Sequence, residues 1–389
     1  MQTTLPKGWK MVKLDEIVNV DKGKKMATIM SHSKDCQPYI GIDNLRTTQY
    51  TNFTKEKDGL SCIETDLLIA WDGANAGTIG YGLKGYVGST IARLRPSEST
   101  TTYYLGHFLK SKFQQFNIQT HGAAIPHLSK SQLLNTLIPL PPLPTQHKIV
   151  EILEEADNLR KLRQQADEKM KDLIPSLFVQ MFGDPATNPK GWEVVKLKDL
   201  AVSVKNGLFK RPHEFGSGAP LINVVDLFAE YKVDLSRLER VMASSDEIEK
   251  YFVEDGNLFF CRSSLKKEGV AKCAVALGLK EPTVFECHTI MVRLSREAIK
   301  PLFASIYLNH PGVRTHTVNT SQTATMTTVS QNDVLRQKIF LPPLALQQEF
   351  SKLVEDIEAE KARQAESRKK LDELFDSLMQ RAFTGELVA

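Results

Sequence analysis

Hydrophobic positions in residues 1–138 fall into short runs separated by glycine, asparagine and aspartate turns. Runs rich in β-branched and aromatic residues at 39–42, 67–71 and 89–94 predict strands of a globular module. Residues 102–116 carry apolar side chains at helical spacing and predict a short helix. This part of the chain is therefore predicted to be a mixed module of strands and helix.

The same order of patterns returns in residues 188–337. Strand-like runs recur at 221–225, 258–262 and 288–292, and a helical run recurs at 302–308. These segments repeat the hydrophobic pattern of the first module more than its amino acids. The two modules are therefore predicted to share a fold and to differ in their side chains.

Two other kinds of segment repeat by identity. The sequence Pro-Lys-Gly-Trp stands at 6–9 and again at 189–192, and Leu-Pro-Pro-Leu stands at 140–143 and again at 341–344. A tandem duplication of this size predicts two similar modules related by an approximate two-fold axis or by a translation.

A long amphipathic helix is predicted after each Leu-Pro-Pro-Leu segment. In the first helix Thr145 is a candidate N-cap, Pro175 should kink or break the helix, and Gly183 marks its end. Apolar positions step by three and four residues, as in the a/d seam of a coiled coil. Arg163 and Glu360 interrupt the two seams, which costs stability but can fix the register. The predicted seam residues are Ile149, Ile152, Leu159, Arg163, Met170 and Leu173 in the first helix, and Phe350, Leu353, Ile357, Glu360, Leu371 and Leu374 in the second.

The predicted length of these helices gives them a possible spacing role. About 37 residues at about 1.5 Å per residue span roughly 55 Å. Successive major-groove half-sites on one face of DNA lie about 34 Å apart. A pair of such helices can therefore hold two modules one turn of DNA or more apart. The simpler interpretation, a structural strut of two packed helices, is compatible with that role.

Composition and charge narrow the class of protein. The chain has 389 residues and a formal charge of +4, which is compatible with a nucleic-acid partner without requiring one. The two helical stretches carry −1 and −2, so the remaining +7 lies on the modules. Five cysteines show no metal-binding spacing, and no apolar run reaches the ~20 residues that span a bilayer. We therefore expect a cytoplasmic protein with no membrane contact.

Motifs of catalysis are missing from the sequence. We find no phosphate-binding P-loop, no aminomethyltransferase motif, no zinc-protease motif and no nucleophile elbow. The glycine-rich run at 72–82 lacks the P-loop lysine and is better explained as a turn or hairpin. His121 and His127 could be imagined as metal ligands, but no neighbouring Cys or His completes a site. No catalytic residue and no metal site is predicted.

The remaining candidates are groups that bind DNA at strand ends and loop tips. Phosphates are bound by Lys, Arg, hydroxyls and backbone amides, and base edges by Arg, Lys, Asn, Gln, Ser, Thr or His. Trp9 and Trp192 are expected in the core instead. In the first module the candidates are Lys22, Lys24, Lys25, Trp71, Asp72, Asn75, Ser89, Thr90, His121 and His127. In the second they are Asn206, Lys210, Arg211, Arg262, Ser263, Ser264, Lys266, Lys267, His288, Thr289, Thr325 and Thr328.

The doubled order of these motifs resembles the DNA-specificity subunit of type I restriction-modification systems over nearly the whole chain. The shared features are the Pro-Lys-Gly-Trp opening, a variable region and the Leu-Pro-Pro-Leu entry to a long helix. The loop at 72–77 and the closing segments at 122–128 and 138–143 also resemble that family. The second module has Arg-Ser-Ser-Leu-Lys at 262–266 where the first has its glycine loop, so loop contacts cannot be carried over between modules.

The resemblance implies an α+β fold with two mixed α/β target-recognition domains separated by two long antiparallel coiled-coil helices, as a pseudo-two-fold internal repeat. The implied segments are target-recognition domain 1 (1–138), a central helix (139–187), target-recognition domain 2 (188–337) and a C-terminal helix (338–389). Each domain would read one half of a bipartite site in double-stranded DNA. The helix pair would set the spacer and dock two methyltransferase subunits.

The resemblance also implies that this chain is not catalytic and holds no cofactor. S-adenosylmethionine would belong to the methyltransferase partner, and ATP and Mg²⁺ to the restriction and translocase subunits. Two alternatives from other classes stay open at this point. One is an enzyme, either a single-chain restriction-methylation protein or an unrelated hydrolase, against which the missing motifs argue. The other is a coiled-coil adaptor that binds protein and has no sequence-specific DNA binding.

Overall fold

The computed structural model describes residues 5–73, 75–113, 127–266, 269–319, 322–323 and 327–388. Three predicted contact residues, His121, Lys267 and Thr325, lie outside the described residues. The chain forms two compact units, one of residues 1–165 with 364–389 and one of residues 166–363. Each unit thus takes one module and part of each long helix. The division into four segments stays a prediction.

The described residues of unit 1 form three sheets and three short helices. A four-stranded sheet has the order β2-β9-β6-β7, a second has the order β4-β3-β8-β5, and β1 pairs with β10. The strands are β1 (Lys10–Lys13), β2 (Val18–Lys22), β3 (Gln37–Ile40), β4 (Phe53–Thr54), β5 (Ser61–Cys62), β6 (Leu67–Ala70), β7 (Ile79–Gly80), β8 (Gly85–Val87), β9 (Ile91–Pro96) and β10 (Leu137–Leu140). The helices are α1 (Asn44–Thr47), α2 (Thr102–Ser111) and α3 (Lys130–Leu134), with a 3₁₀ turn at Leu14–Glu16.

Unit 2 repeats this plan, and its described residues also form a small sheet. Its sheets have the orders β12-β19-β15-β17, β14-β13-β18, β16-β21-β20 and β11-β22. The strands are β11 (Glu193–Lys196), β12 (Ala201–Asn206), β13 (Phe215–Ile222), β14 (Glu239–Val241), β15 (Leu258–Cys261), β16 (Ser263–Ser264), β17 (Cys273–Val275), β18 (Val284–Phe285), β19 (Thr289–Leu294), β20 (Gln322–Thr323), β21 (Thr327–Thr328) and β22 (Lys338–Leu341). The helices are α6 (Leu197–Leu200), α7 (Ser245–Lys250), α8 (Pro301–Asn309), α9 (Pro311–Asn319) and α10 (Gln331–Leu335), with 3₁₀ turns at Pro212–Glu214 and Val224–Phe228.

The pairing of strands confirms that the two modules share a fold. The order β2-β9-β6-β7 in unit 1 matches β12-β19-β15-β17 in unit 2, and all these pairs are antiparallel. The parallel pair β3 and β8 likewise matches β13 and β18. The glycine-rich run predicted to be a turn or hairpin joins β6 to β7, which pair antiparallel.

The apolar runs form strands because both of their faces are covered. All four residues of β6 and all four of β15 are buried. In unit 2 an aromatic cluster packs over the sheet, with Phe178 stacked on Phe303 at 5.4 Å between ring centroids. Each fully buried aromatic side chain contributes roughly 1.5–3 kcal/mol. Trp192, which was expected in the core, is half-buried and packs against it, and its indole Nε1–H donates to the carbonyl of Phe182 at 2.9 Å.

Three helices make up the two long helical stretches: α4 (Leu143–Lys171), α5 (Leu173–Phe182) and α11 (Leu344–Thr384). The predicted break occurs at Asp172, three residues before Pro175, whose ring would clash with a carbonyl in the preceding turn. Gly183, with φ of 85°, ends α5, and Gly385, with φ of 86°, follows α11. Thr145 is not the N-cap, because α4 already begins at Leu143. No helix in the described part of the chain is long and apolar enough to cross a membrane.

Burial along the long helices differs from the predicted seam. Ile149 and Phe350 are buried as a seam requires, and so are Leu153 and Val354, which the seam does not include. The buried residues at the helix ends pack in clusters that contain both module residues and residues of the other long helix, such as Ala382 beside Leu153. The other seam residues are half-buried (Ile152, Arg163, Met170, Ile357, Glu360 and Leu371) or exposed (Leu159, Leu173, Leu353 and Leu374).

A buried glutamine fixes the start of each long helix to its module. In unit 1 the side chain of Gln146 accepts from the backbone N–H of Thr101, the N-cap of α2, at 2.9 Å. In unit 2 Gln347 accepts from the N–H of Lys300, the N-cap of α8, also at 2.9 Å. Each amide also donates to a proline carbonyl of its own Leu-Pro-Pro-Leu segment at 2.9 Å. Both side chains are completely buried, so hydrogen bonding offsets the cost of their desolvation.

Candidate nucleic-acid interface

The strand ends of the first module bring four predicted contact residues together. Lys22 is the last residue of β2, and Trp71 and Asp72 follow β6 directly. Lys22 Nζ lies 2.9 Å from Asp72 Oδ2, and His127 Nδ1 lies 2.5 Å from Asp72 Oδ1. The backbone N–H of Leu128 donates to the carbonyl of Trp71 at 2.9 Å. Lys22, Asp72 and His127, far apart in sequence, therefore form one polar cluster at this edge of the sheet. Trp71 beside them is only 6% exposed and belongs to the hydrophobic core, so its contact with DNA stays a prediction.

Asp72 is the charged centre of that cluster. Burial raises the pKa of Asp72, but the hydrogen bonds from Lys22 and His127 outweigh it and hold the pKa below its ordinary value. The carboxylate thus stays ionised and holds both basic side chains in place. A DNA phosphate at this point would share Lys22 and His127 with Asp72.

The second module builds a cluster at the corresponding strand ends. Asn206 is the last residue of β12, and Arg262 and Ser263 follow β15. Ser263 pairs with Thr328 across the small sheet. The backbone N–H of Val329 donates to the carbonyl of Arg262 at 3.0 Å. Arg262, Ser263 and Thr328 thus come together, with Asn206 at the end of a strand of the same sheet, and here hydroxyls and a guanidinium replace the carboxylate and its partners.

The backbone of the two clusters corresponds residue by residue. The antiparallel bridge between Asp72 and His127 has its counterpart in the pairing of Ser263 with Thr328. The strand ends carry the matched pairs Lys22 and Asn206, Trp71 and Arg262, Asp72 and Ser263, and His127 and Thr328, with the residue of the first module given first.

One glycine in each module lets the chain pass close to the neighbouring strand. A Cβ on Gly23 would lie 2.2 Å from the carbonyl oxygen of Gly88, and a Cβ on Gly207 would lie 2.2 Å from that of Phe285. Neither contact can be relieved by moving a flexible side chain, because both partners are backbone. Each glycine follows the last residue of the strand that carries Lys22 or Asn206, and so it sets the path of the chain beside the cluster.

The turn after the central parallel strand is held by a different residue type in each module. In the first module the N–H of Gly41 donates to Oδ1 of buried Asn44 at 2.6 Å. In the second the N–H of Asn223 donates to Oδ2 of Asp226 at 2.7 Å. Burial, reinforced by nearby carboxylates and opposed by the Asn223 hydrogen bond, raises the pKa of Asp226 to about 6. The buried side-chain amide of Asn44 in the first module thus corresponds to the buried carboxyl group of Asp226 in the second.

The other predicted residues of the first module lie around the cluster. Lys24 is exposed and its Nζ lies 2.6 Å from Asp58 Oδ2. Asn75 accepts from Arg46 Nη2 at 2.6 Å. Lys25 and Thr90 are exposed, and Ser89 is half-buried. Arg46 was missed at the sequence level, because only the fold brings the end of α1 to the glycine-rich turn.

In the second module the predicted residues differ in accessibility. The side chain of Lys210 is only 8% exposed and lies between Glu214 and Glu247, at 3.0 and 2.8 Å. Thr289 is buried, and its hydroxyl donates to the carbonyl of Glu286 at 2.7 Å. Neither presents a free group at the surface, so their contact with DNA stays a prediction that requires local rearrangement. Arg211 and Lys266 are exposed and Ser264 is half-buried.

A second group of residues missed from the sequence lies in the turn before β19. Glu286 and Cys287 stand next to the predicted His288, and the His288 ring hydrogen-bonds to the Glu286 carboxylate. Cys287 Sγ lies 3.1 Å from Glu286 Oε1. Their adjacency to His288 in sequence was the available signal. Among the described residues these three form a cluster whose ligand atoms are close enough to hold one metal ion.

Comparison with known sequences gives one family. The profile described as the type I restriction modification DNA specificity domain matches residues 6–171. The type I restriction enzyme MjaVIII specificity subunit of Methanocaldococcus jannaschii is 32% identical over 226 residues, which are 54% of this chain and 53% of that protein. The chain thus aligns with about half the length of that relative. The type I restriction enzyme EcoKI specificity subunit of Escherichia coli K12 is 23% identical, over 99% of this chain and 90% of that protein.

Solved structures agree with this at the level of the fold. A chain solved in work on complex assembly and conformational transition of the type I R-M system aligns with a TM-score of 0.66 at 19% identity, over 99% of this chain and 100% of that one. The type I restriction-modification system S subunit from M. genitalium aligns with a TM-score of 0.57 at 13% identity, over 98% and 97%. Residues 6–171 therefore match the type I restriction modification DNA specificity domain, and the chain as a whole is similar in sequence and in fold to type I specificity subunits.

Proposed function

We propose that this chain is the sequence-recognition subunit of a type I restriction-modification complex and that each module reads one half of a bipartite site in double-stranded DNA. The observation that carries the proposal is the pair of strand-end clusters, which have the same backbone arrangement but different side chains. Because the two modules share a fold, side chains at corresponding positions would contact corresponding base pairs of the two half-sites. Unlike groups would then select unlike bases.

The chemistry of the two clusters suits different contacts. In the first, Lys22 and His127 offer donors to phosphate or to base acceptors, while Asp72 accepts from a cytosine or adenine amino group. In the second, Arg262 offers a planar guanidinium that matches the two acceptors of guanine, and Thr328 offers a hydroxyl. The first half-site would therefore be read by a carboxylate-centred group and the second by an arginine-centred group.

The long helices would set the distance between the half-sites. We assign the recognition domains to 1–138 and 188–337, and the helices to 139–187 and 338–389, packed as an antiparallel coiled coil. At 1.5 Å per residue the 41 residues of α11 span roughly 60 Å. The buried glutamines at the helix starts support the proposal, since a ruler must be fixed rigidly to the modules that it separates.

Catalysis would belong to partner subunits. Two methyltransferase subunits would dock on the helix pair, bind S-adenosylmethionine and reach the target adenine by base flipping. Restriction and translocase subunits would supply ATP- and Mg²⁺-dependent steps. This chain would then be a non-catalytic component that holds neither cofactor and delivers the other subunits to one DNA sequence.

The test is an exchange of modules in the assembled methyltransferase. Residues 188–337 are replaced by the matching region of a relative, and the methylated motif is read by methylome sequencing of cells that carry the complex. We expect one half of the motif to change and the other half and the spacer to persist. The matched control exchanges residues 1–138 and should change the opposite half. A change in both halves from either exchange would contradict independent reading by the two modules.

A further inference from the structure

Three different metal-ligand types converge in one turn of the second module. Glu286, Cys287 and His288 connect β18 to β19, and their ligand atoms all lie within 4.8 Å of one another. Cys287 Sγ is 3.1 Å from Glu286 Oε1 and 3.5 Å from His288 Nδ1. The Glu286 side chain is 13% exposed and the His288 side chain 52% exposed. The cluster is therefore anchored on one side and open to solvent on the other.

The backbone of this turn is fixed before any ligand arrives. The N–H of Thr289 donates to the carbonyl of Glu286 at 3.0 Å, which closes the turn. The N–H of Arg262 donates to the carbonyl of His288 at 2.8 Å, and its guanidinium Nη1 donates to that of Cys287 at 3.3 Å. The side chains of Glu286, Cys287 and His288 can thus converge on one ligand with little further loss of backbone conformational entropy.

We propose that Glu286, Cys287 and His288 bind a thiophilic divalent cation of the zinc class. Zinc takes sulfur, nitrogen and carboxylate oxygen together, at ligand distances that put tetrahedral ligand atoms roughly 3.3–3.8 Å apart. Both distances from Cys287 Sγ lie near that range. The hydrogen bond between His288 and Glu286 opens by about an ångström when the ion enters. Water takes the fourth position on the exposed side, and the thiol proton passes to solvent.

The first module lacks this set of donors and serves as an internal control. The residues at the corresponding turn are Gly88, Ser89 and Thr90, which offer no thiol, imidazole or carboxylate. The cation would therefore belong to the second module alone. It would neutralise Glu286 and fix the ring of His288, whose carbonyl accepts from the backbone N–H of Arg262.

The primary experiment titrates the full-length reduced protein with Co²⁺, a spectroscopic substitute for zinc. We expect one ion per chain, a near-ultraviolet thiolate-to-metal band with visible bands of tetrahedral cobalt, and loss of all of them on addition of Zn²⁺. The C287S and H288N variants should lose the thiolate band or its tetrahedral pattern, and S89A should keep both. Absence of the bands in the native protein, or their persistence in C287S, would overturn the proposal.

A second measurement keeps the proposal testable if C287S does not fold. The other four thiols are buried and Cys287 is half-buried, so a thiol reagent should modify one cysteine per native chain quickly. Saturating Zn²⁺ should slow that reaction roughly tenfold or more, because a coordinated thiolate is shielded from the reagent. An unchanged rate would show that Cys287 is not a ligand. Neither readout involves DNA, so the result does not depend on the proposed function.

Discussion

The two strand-end clusters occupy corresponding points of the fold and use different chemistry. In the first, Asp72 holds Lys22 and His127, so positive and negative charge balance within the cluster. In the second, Ser263 takes the place of Asp72, and Arg262 stands where the first module has Trp71. The fold thus fixes where these side chains stand without fixing their chemistry. Under the proposed function, a scaffold of this kind would change its DNA target by substitution at few positions.

The largest effect is expected at the two glycines, where the comparison predicts equal behaviour. Gly23→Ala and Gly207→Ala each place a Cβ 2.2 Å from a backbone oxygen, so the strand must shift. We expect each variant to lose about 3 kcal/mol or more of unfolding free energy, measured by urea denaturation. Gly41→Ala is the matched control, because its Cβ would meet nothing closer than 3.7 Å. If Gly23→Ala or Gly207→Ala is as mild as the control, the close approach is not a constraint.

The next largest effect should be confined to the half-site that the second module reads. Arg262→Ala removes the guanidinium from the second cluster and should cost about 1–3 kcal/mol of discrimination at one base pair of one half-site. The other half-site should be read as before. Competition binding of the assembled methyltransferase to duplexes with single base-pair changes measures both. His127→Ala, in the cluster of the first module, is the matched control, and any loss that it causes should fall on the other half-site. Equal loss at both half-sites in Arg262→Ala would mean that the variant weakens the whole complex.

The smallest effect concerns the buried turn residues. The pKa of Asp226 is raised from 3.8 to about 6, so the folded chain binds a proton more tightly than the unfolded chain in that window. Stability contributed by this group is therefore lost as pH rises from 4 to 6. Asp226→Asn, which copies Asn44 of the first module, should stabilise the chain by about 1–2 kcal/mol at pH 7 and by almost nothing below pH 4. Melting temperatures across this pH range measure the difference.

The reciprocal change tests the same comparison from the other side. Asn44 is completely buried, so Asn44→Asp places an ionisable group where the first module has a neutral amide. It should destabilise the chain increasingly as pH rises. A pH-independent effect of either substitution would mean that packing, rather than charge, decides the choice of residue.

The sequence predicted the repeated elements well because their signals are local. The runs at 67–71 and 258–262 became β6 and β15, and Pro175 broke the helix as its ring geometry requires. The repeat itself was visible from the Pro-Lys-Gly-Trp and Leu-Pro-Pro-Leu segments. Local patterns of this kind depend on a few neighbouring residues and can be recognised without knowledge of the fold.

The features that failed or were missed depend on long-range contacts. Heptad periodicity assumes that one helix covers another, but Leu153 and Val354 are buried in hydrophobic clusters that also contain module residues, and Leu159 and Leu374 are exposed. Nothing local marks Gly23 as the glycine that meets a backbone oxygen. The candidate site was predicted as a set of polar strand ends, and only the pairing of strands shows which of them meet.

The buried glutamines at the start of α4 and α11 limit how the length of these helices can change by insertion. Because Gln146 ties the first turn of its helix to the N-cap of α2, the module and the helix turn as one body. Each residue added farther along a helix shifts the rest of that helix by about 1.5 Å along its axis and rotates it by about 100°. A single-residue insertion would therefore move the distal part of the helix around the axis more than along it. Insertions whose length is close to a whole number of helical turns would keep the orientation of the distal part of the helix. The length of these helices should therefore vary in steps of about one turn rather than residue by residue.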